Sequence, residues 1–94
     1  MRSQLFKISE NLTFETAPGL LERSKEWSAE TDGSVTIDLA SAGRTDSAGI
    51  ALMLEWVELA RKQGLELHIV NMPAQVQEFI DSNGLKDLFQ KYSG

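Results

Sequence analysis

Asp46, Ser47, Ala48 and Gly49 stand between a run of small residues, Ala40 to Thr45, and a long apolar helical stretch. A carboxylate beside a hydroxyl could serve as base and nucleophile, as a phosphate acceptor or as a helix cap. A nucleophile elbow, G-x-S-x-G, would need glycine at position 45, where Thr45 stands, and no acid/base constellation accompanies Ser47. A phosphate-cradling loop needs G-x-x-x-x-G-K-[ST], and the glycines at 33, 43 and 49 lack the following lysine. The one histidine, His68, falls on a strand out of phase with Leu67 and Ile69, and no neighbouring pattern supplies a second metal ligand. Glu55 and Glu58 share the solvated strip of one helix. The expectation is a protein that is not an enzyme, with no metal and no cofactor.

Capping is the simplest physical use of the pair. Ser47, one residue before the helix, can accept from the second or third helical N–H, and Asp46 adds negative charge at the positive end of the helix dipole. Gly49 needs a different reason, because glycine costs about 1 kcal/mol relative to alanine inside a helix. A missing side chain there permits close approach by another backbone.

The elements that position this site can be read from periodicity. Phe6 and Ile8, then Leu12 and Phe14, alternate around Ser9, Glu10 and Asn11, which predicts an N-terminal β-hairpin. Thr16 is the expected N-cap of a helix over residues 17–28, with Pro18 in its first turn and Leu20, Leu21, Ser24 and Trp27 inward. After the loop at Thr31, Asp32 and Gly33, the run from Val35 to Leu39 has period two and is rich in β-branched residues. The central helix runs from the Asp46–Ser47 site to about Gln63, with Gly64 as its stop. Leu65, Leu67 and Ile69 predict a further strand. Pro73 opens a third helix with Val76, Phe79 and Ile80 on one face, Asn83 and Gly84 end it, and Leu85, Leu88 and Phe89 fit a short last helix. Alternation of strand and helix implies right-handed crossovers and mostly parallel pairing, with the hairpin adding an antiparallel edge.

The central helix carries more apolar surface than one sheet needs. Ile50, Met53, Leu54, Val57 and Ala60 lie on one face and Leu52, Trp56 and Leu59 on the adjoining one, leaving Glu55, Glu58 and Lys62 as the polar strip. Either a neighbouring helix covers the second face or a partner does, with Trp56 as a rim anchor in the second case.

Composition narrows the partner. The 94 residues include no cysteine, so burial must stabilise the fold without disulfides or thiolate-bound metal. A net charge of −5, with nine scattered Lys and Arg, offers no basic stripe for nucleic acid and disfavours direct docking on anionic lipid. The N-terminus lacks a continuous apolar signal region, and no stretch approaches the ~20 apolar residues of a membrane span, so a cytoplasmic location is expected.

The segment Asp46 to Ile50, preceded by the strand Val35 to Leu39 and followed by a long apolar helix, resembles the signature loop of STAS domains. The stretches LTFETAPGLLE, VTIDLASAGRTDSAGIALMLEWVELARKQG and HIVNMPAQVQEFIDSNGLKDLF resemble the MlaB-type cytoplasmic subunit of phospholipid-transporting ABC systems. The resemblance implies one STAS domain over residues 1–94, an α/β fold with a mixed, mainly parallel four- to five-stranded sheet and about four helices. It also implies a non-catalytic subunit that binds the transporter's ATPase and supports its assembly or activity in maintaining outer-membrane lipid asymmetry. Contact with the inner membrane would then be indirect, through the complex. The partner-binding residues it implies are Arg44, Thr45, Asp46, Ser47, Ala48, Gly49, Ile50, Leu54 and Glu55. In the anti-sigma factor antagonists of the same family the position of Ser47 is phosphorylated, so a phosphorylation switch is the alternative reading. A third reading is a STAS module that holds a lipid or nucleotide.

Overall fold

A computed structural model describes residues 3–30 and 33–92, with the side chains of residues 3 and 27–30 excepted. The predicted inward position of Trp27 and the predicted loop residues Thr31 and Asp32 therefore lie outside the described residues. The elements run β1 (Ser3–Lys7), α1 (Ala17–Glu30), β2 (Ser34–Asp38), α2 (Ser47–Gln63), β3 (Glu66–Val70), α3 (Ala74–Ser82) and α4 (Lys86–Gln90).

The strands form one sheet in the order β1-β2-β3, and both pairings are parallel. In register, Phe6 lies beside Ile37 and Ile69, and Leu5 beside Thr36 and His68. Both crossovers advance in the same direction, and right-handed connections of that kind place their helices on one face. Burial follows this pattern. Val35, Ile37, Leu67 and Ile69 are buried, whereas Thr36 and His68 between them are only half-buried. The period-two alternation in β2 and β3 thus reports a sheet covered on one side, although parallel sheets are usually covered on both.

The predicted hairpin does not form, and among the described residues the sheet has three parallel strands, not four or five mixed ones. The chain leaves the sheet after Lys7, and residues 10–14 bond instead to the segment between β2 and α2. Gly43 N donates to Glu10 O, Leu12 N to Arg44 O and Asp46 N to Leu12 O, while Leu12 and Thr45 form a single parallel bridge. Leu12 is completely buried and Phe14 is exposed, so their alternation reflects a clamped loop, not a second strand.

Thr16 does not cap α1 through its hydroxyl. Its Oγ1 accepts from Thr13 N at 3.0 Å and donates to Asn11 O, and the first helical amide, Ala17 N, reaches Thr13 O at 2.9 Å. The helix starts from a turn already closed on itself. At the C-terminal ends of α2 and α3 the sequence reading holds. Gly64, at φ 68°, stops α2 with its N–H on Ala60 O and Arg61 O, and Gly84, at φ 69°, follows α3. Arg61 and Lys62 in the last turn of α2 complement the negative end of its dipole.

Most of the second apolar face of α2 is covered from within. Leu52 and Trp56 are buried, and the indole Nε1 donates to Ser24 Oγ of α1 at 2.5 Å, whose hydroxyl in turn donates to Leu20 O at 2.7 Å. Trp56 is therefore a core residue with a satisfied polar tip, not an anchor at a rim. This chain of two hydrogen bonds also explains a serine on the inner face of α1.

Candidate functional site

Asp46 supplies the cap that the sequence reading assigns to Ser47. The helix begins at Ser47, one residue earlier than expected, and Asp46 holds the extended backbone of a capping residue at φ −126° and ψ −172°. Its Oδ1 accepts from Ala48 N at 2.9 Å and Gly49 N at 3.3 Å, and its Oδ2 accepts from Phe14 N at 3.1 Å. One carboxylate thus closes two orphan amides of α2 and ties the loop of residues 12–16 to the helix entrance. These bonds, that from Phe14 first, hold the Asp46 carboxyl below its usual pKa, with Arg44 adding a smaller attraction and desolvation acting in opposition.

Gly49 is buried, and the backbone that approaches it belongs to this chain. A Cβ at this position would collide with Leu12 O and stand 2.9 Å from both Leu12 C and Leu12 Cβ. Gly43 has a similar role beside Asn11, whose Oδ1 accepts from Arg44 N at 2.9 Å. The glycine at 49 is needed to seat the loop and does not leave the helix entrance bare for a partner.

The nine residues expected at a contact separate by burial. Arg44, Ser47, Leu54 and Glu55 are exposed, Asp46 and Ala48 are half-buried, and Thr45, Gly49 and Ile50 are buried. The last three face inward and position the others. Thr45 N donates to Gln75 Oε1 of α3 at 2.8 Å, and its buried Oγ1 has no hydrogen-bond partner among the described residues. Leu54 is 36% exposed. Together with Ser47 and Ala51 it forms a helical strip at spacings of four and three residues, an exposed and uncharged line along the first two turns of α2. Glu55 flanks that strip, while Glu58 is ion-paired to Arg61.

Sequence reasoning missed Phe14, which is 79% exposed beside the Asp46 carboxylate, and Asn11 and Gln75, whose amide groups brace the entrance loop. The only signal for Phe14 was its alternation with Leu12, which pointed to a strand. No local pattern reveals hydrogen bonds across about thirty residues of sequence.

Other chemistry is sparse. His68 is half-buried with its Nε2 3.3 Å from Glu66 Oε1, and no group of three or more potential metal ligands occurs among the described residues. A cleft of about 450 Å³ lies between β3, α3 and α4, lined by residues that include Ile69, Asn71, Ile80, Lys86 and Phe89 and by none of the nine. Among the described residues no helix is long and apolar enough to cross a membrane.

A three-stranded parallel sheet with helices on one face, and a braced loop entering a helix with an exposed strip, define a small α/β fold. Comparison with known proteins places it further. The family model described as "Mlab, STAS domain" matches residues 2–90, and the chain belongs to the STAS domain family. STAS domains are generally non-catalytic regulatory or interaction modules. The fold is shared with the crystal structure of a sulfate transporter family protein from Wolinella succinogenes, at a TM-score of 0.75 and 16% identity, covering 97% of this chain and 75% of that one. No curated protein matches the sequence.

Proposed function

We propose that this STAS domain is a non-catalytic cytoplasmic subunit that binds the ATPase of a phospholipid-transporting ABC complex and supports its assembly or activity in maintaining outer-membrane lipid asymmetry. It would sit peripheral to the inner membrane through that complex. The observation that carries the reading is the exposed strip Ser47, Ala51 and Leu54 on a helix whose other apolar residues are buried or half-buried. The family description naming Mlab supports the choice of partner. On the strip and at its margins, Arg44, Ser47, Leu54 and Glu55 would touch the partner, while Thr45, Asp46, Ala48, Gly49 and Ile50 hold the helix entrance in place.

Co-expression with the cognate ATPase should give a stable complex, and Ser47→Arg or Leu54→Asp should each weaken it at least about tenfold, since a charge forced into an apolar contact is left without a partner. Both side chains are exposed, so the variants should fold. An unchanged complex with unchanged ATP hydrolysis would exclude this surface.

The exposure of Ser47 at the first position of α2 supports the second reading, a signalling antagonist switched by phosphorylation. A phosphate there would add about −1.5 to −2 charges at neutral pH near a helix N-terminus and Arg44. Intact-mass measurement of the protein from its native cells, across growth conditions, separates the readings. A phosphorylated fraction favours the switch, and its absence under every condition counts against it.

A further inference from the structure

Phe14 is the most exposed large hydrophobic side chain among the described residues, at 79%. A lone apolar residue at a surface needs no explanation. This one, however, sits on a braced backbone. Its own N–H is held by Asp46 Oδ2, Thr13 N bonds to Thr16 Oγ1, and Leu12 bonds through both N–H and C=O to the segment entering α2. Leu12 is completely buried beneath it and packs on Gly49. The protein thus fixes the backbone that carries a largely exposed phenyl ring, next to the first turn of α2.

Acidic residues accompany Phe14 on its own loop and at the helix entrance. Glu15 adjoins Phe14 in sequence and is exposed, and Asp46 accepts from the Phe14 amide, with Arg44 the single cation on the entrance loop, while Glu55 is exposed about two turns farther along α2. Glu58 is already paired with Arg61. An aromatic side chain on a fixed loop loses little conformational freedom on binding, and buried aromatic anchors with a polar rim dominate many interfaces.

From this we infer that Phe14 is the anchor of the docking surface, inserting into an apolar pocket on a partner protein whose rim carries lysine or arginine to meet Glu15 and Glu55. The inference rests on the reading of the α2 entrance as a docking surface and adds the residue that grips and the chemistry of what is gripped.

The test uses the full chain and the co-expressed ATPase. Phe14→Ala should leave the melting temperature unchanged, because the ring is exposed, and weaken the complex at least about 30-fold, the scale of an interface hot spot. The wild-type complex should weaken with rising salt, and Glu15→Lys with Glu55→Lys should reduce its affinity and flatten that dependence. A complex that tolerates Phe14→Ala within about threefold overturns the anchor and leaves the ATPase reading standing. If wild-type protein binds no ATPase, that reading falls, and a photo-crosslinking benzoylphenylalanine placed at position 14 in native cells tests the anchor alone. An adduct mapped to an apolar pocket flanked by Lys or Arg on another protein supports it. No adduct, or one on an acidic or polar surface, overturns it.

Discussion

Asp46 bonds to three backbone amides, two in α2 and one at Phe14, and so joins the helix to its entrance loop. Such bonds favour the ionised carboxyl, first through Phe14 N–H, and its folded pKa lies below the ordinary 3.8. A carboxylate with a depressed folded pKa contributes stability that is fully present above the unfolded pKa and is lost as pH falls through the folded one. Asp46→Asn keeps an acceptor for the cap but removes the charge. It should therefore lower the melting temperature by a few degrees at neutral pH. That gap should persist down to about pH 4 and close in more acidic solution, as measured by thermal unfolding of both proteins across the acid range. A gap independent of pH would mean that the carboxylate's charge is irrelevant to the clamp. The residue types here were legible as a capping pair. Which of the two caps was not, because the choice depends on where the backbone turns from extended to helical, and that is set by the bonds of Leu12 and Arg44.

Helix propensity makes two glycines look alike, yet their surroundings give opposite expectations. Gly19 lies in α1 with nothing within 4 Å of the point where a Cβ would stand, so Gly19→Ala should stabilise the protein by about 0.5–1 kcal/mol. Gly49 lies in α2 against the Leu12 backbone, and Gly49→Ala should cost about 1–3 kcal/mol by forcing loop and helix apart. Chemical denaturation of the two variants checks the contrast, and equal shifts would mean that the loop does not pack on the helix. Element types and most helix ends were readable because amphipathic periods and the stops at Gly64 and Gly84 are local properties. The hairpin was misread because Leu12 and Phe14 mimic a strand's alternation while their bonding partners lie more than thirty residues away. The width of the apolar face on α2 was correctly seen, but much of it meets α1 through Leu52 and Trp56, and the exposed remainder is a narrow strip.

At the scale of the molecule, the same-direction crossovers leave one side of the sheet open, and this separates two exposed apolar sites. Leu5, 58% exposed, lies on the open face beside Thr36, whereas Leu54 lies on a helix that covers the other face. Leu5→Thr should then leave partner affinity unchanged within about twofold and stability within about 0.5 kcal/mol. A loss of binding comparable to that of Leu54→Asp, measured against the same ATPase, would move the docking surface to the sheet. The sheet's outer edge at β3 is partly closed by the C-terminal segment, where Ile69 N donates to Tyr92 O at 2.6 Å.

Read alone, the sequence already determines an α/β alternation, the central helix and its stop, and a capped helix entrance at Asp46 to Gly49. Each of these follows from local propensity, hydrophobic period or capping chemistry, which act over one or two turns of chain. The strand count, the exchange of roles between Asp46 and Ser47, the burial of Trp56 and the presentation of Phe14 depend on which distant segments meet. Those meetings are set by closure of the loop onto α2, where Gly49 makes room for Leu12 and Asp46 receives the amide of Phe14. The Asp46–Ser47 site thus becomes a fixed platform whose exposed chemistry lies on Ser47, Leu54 and a phenylalanine thirty-two residues before Asp46.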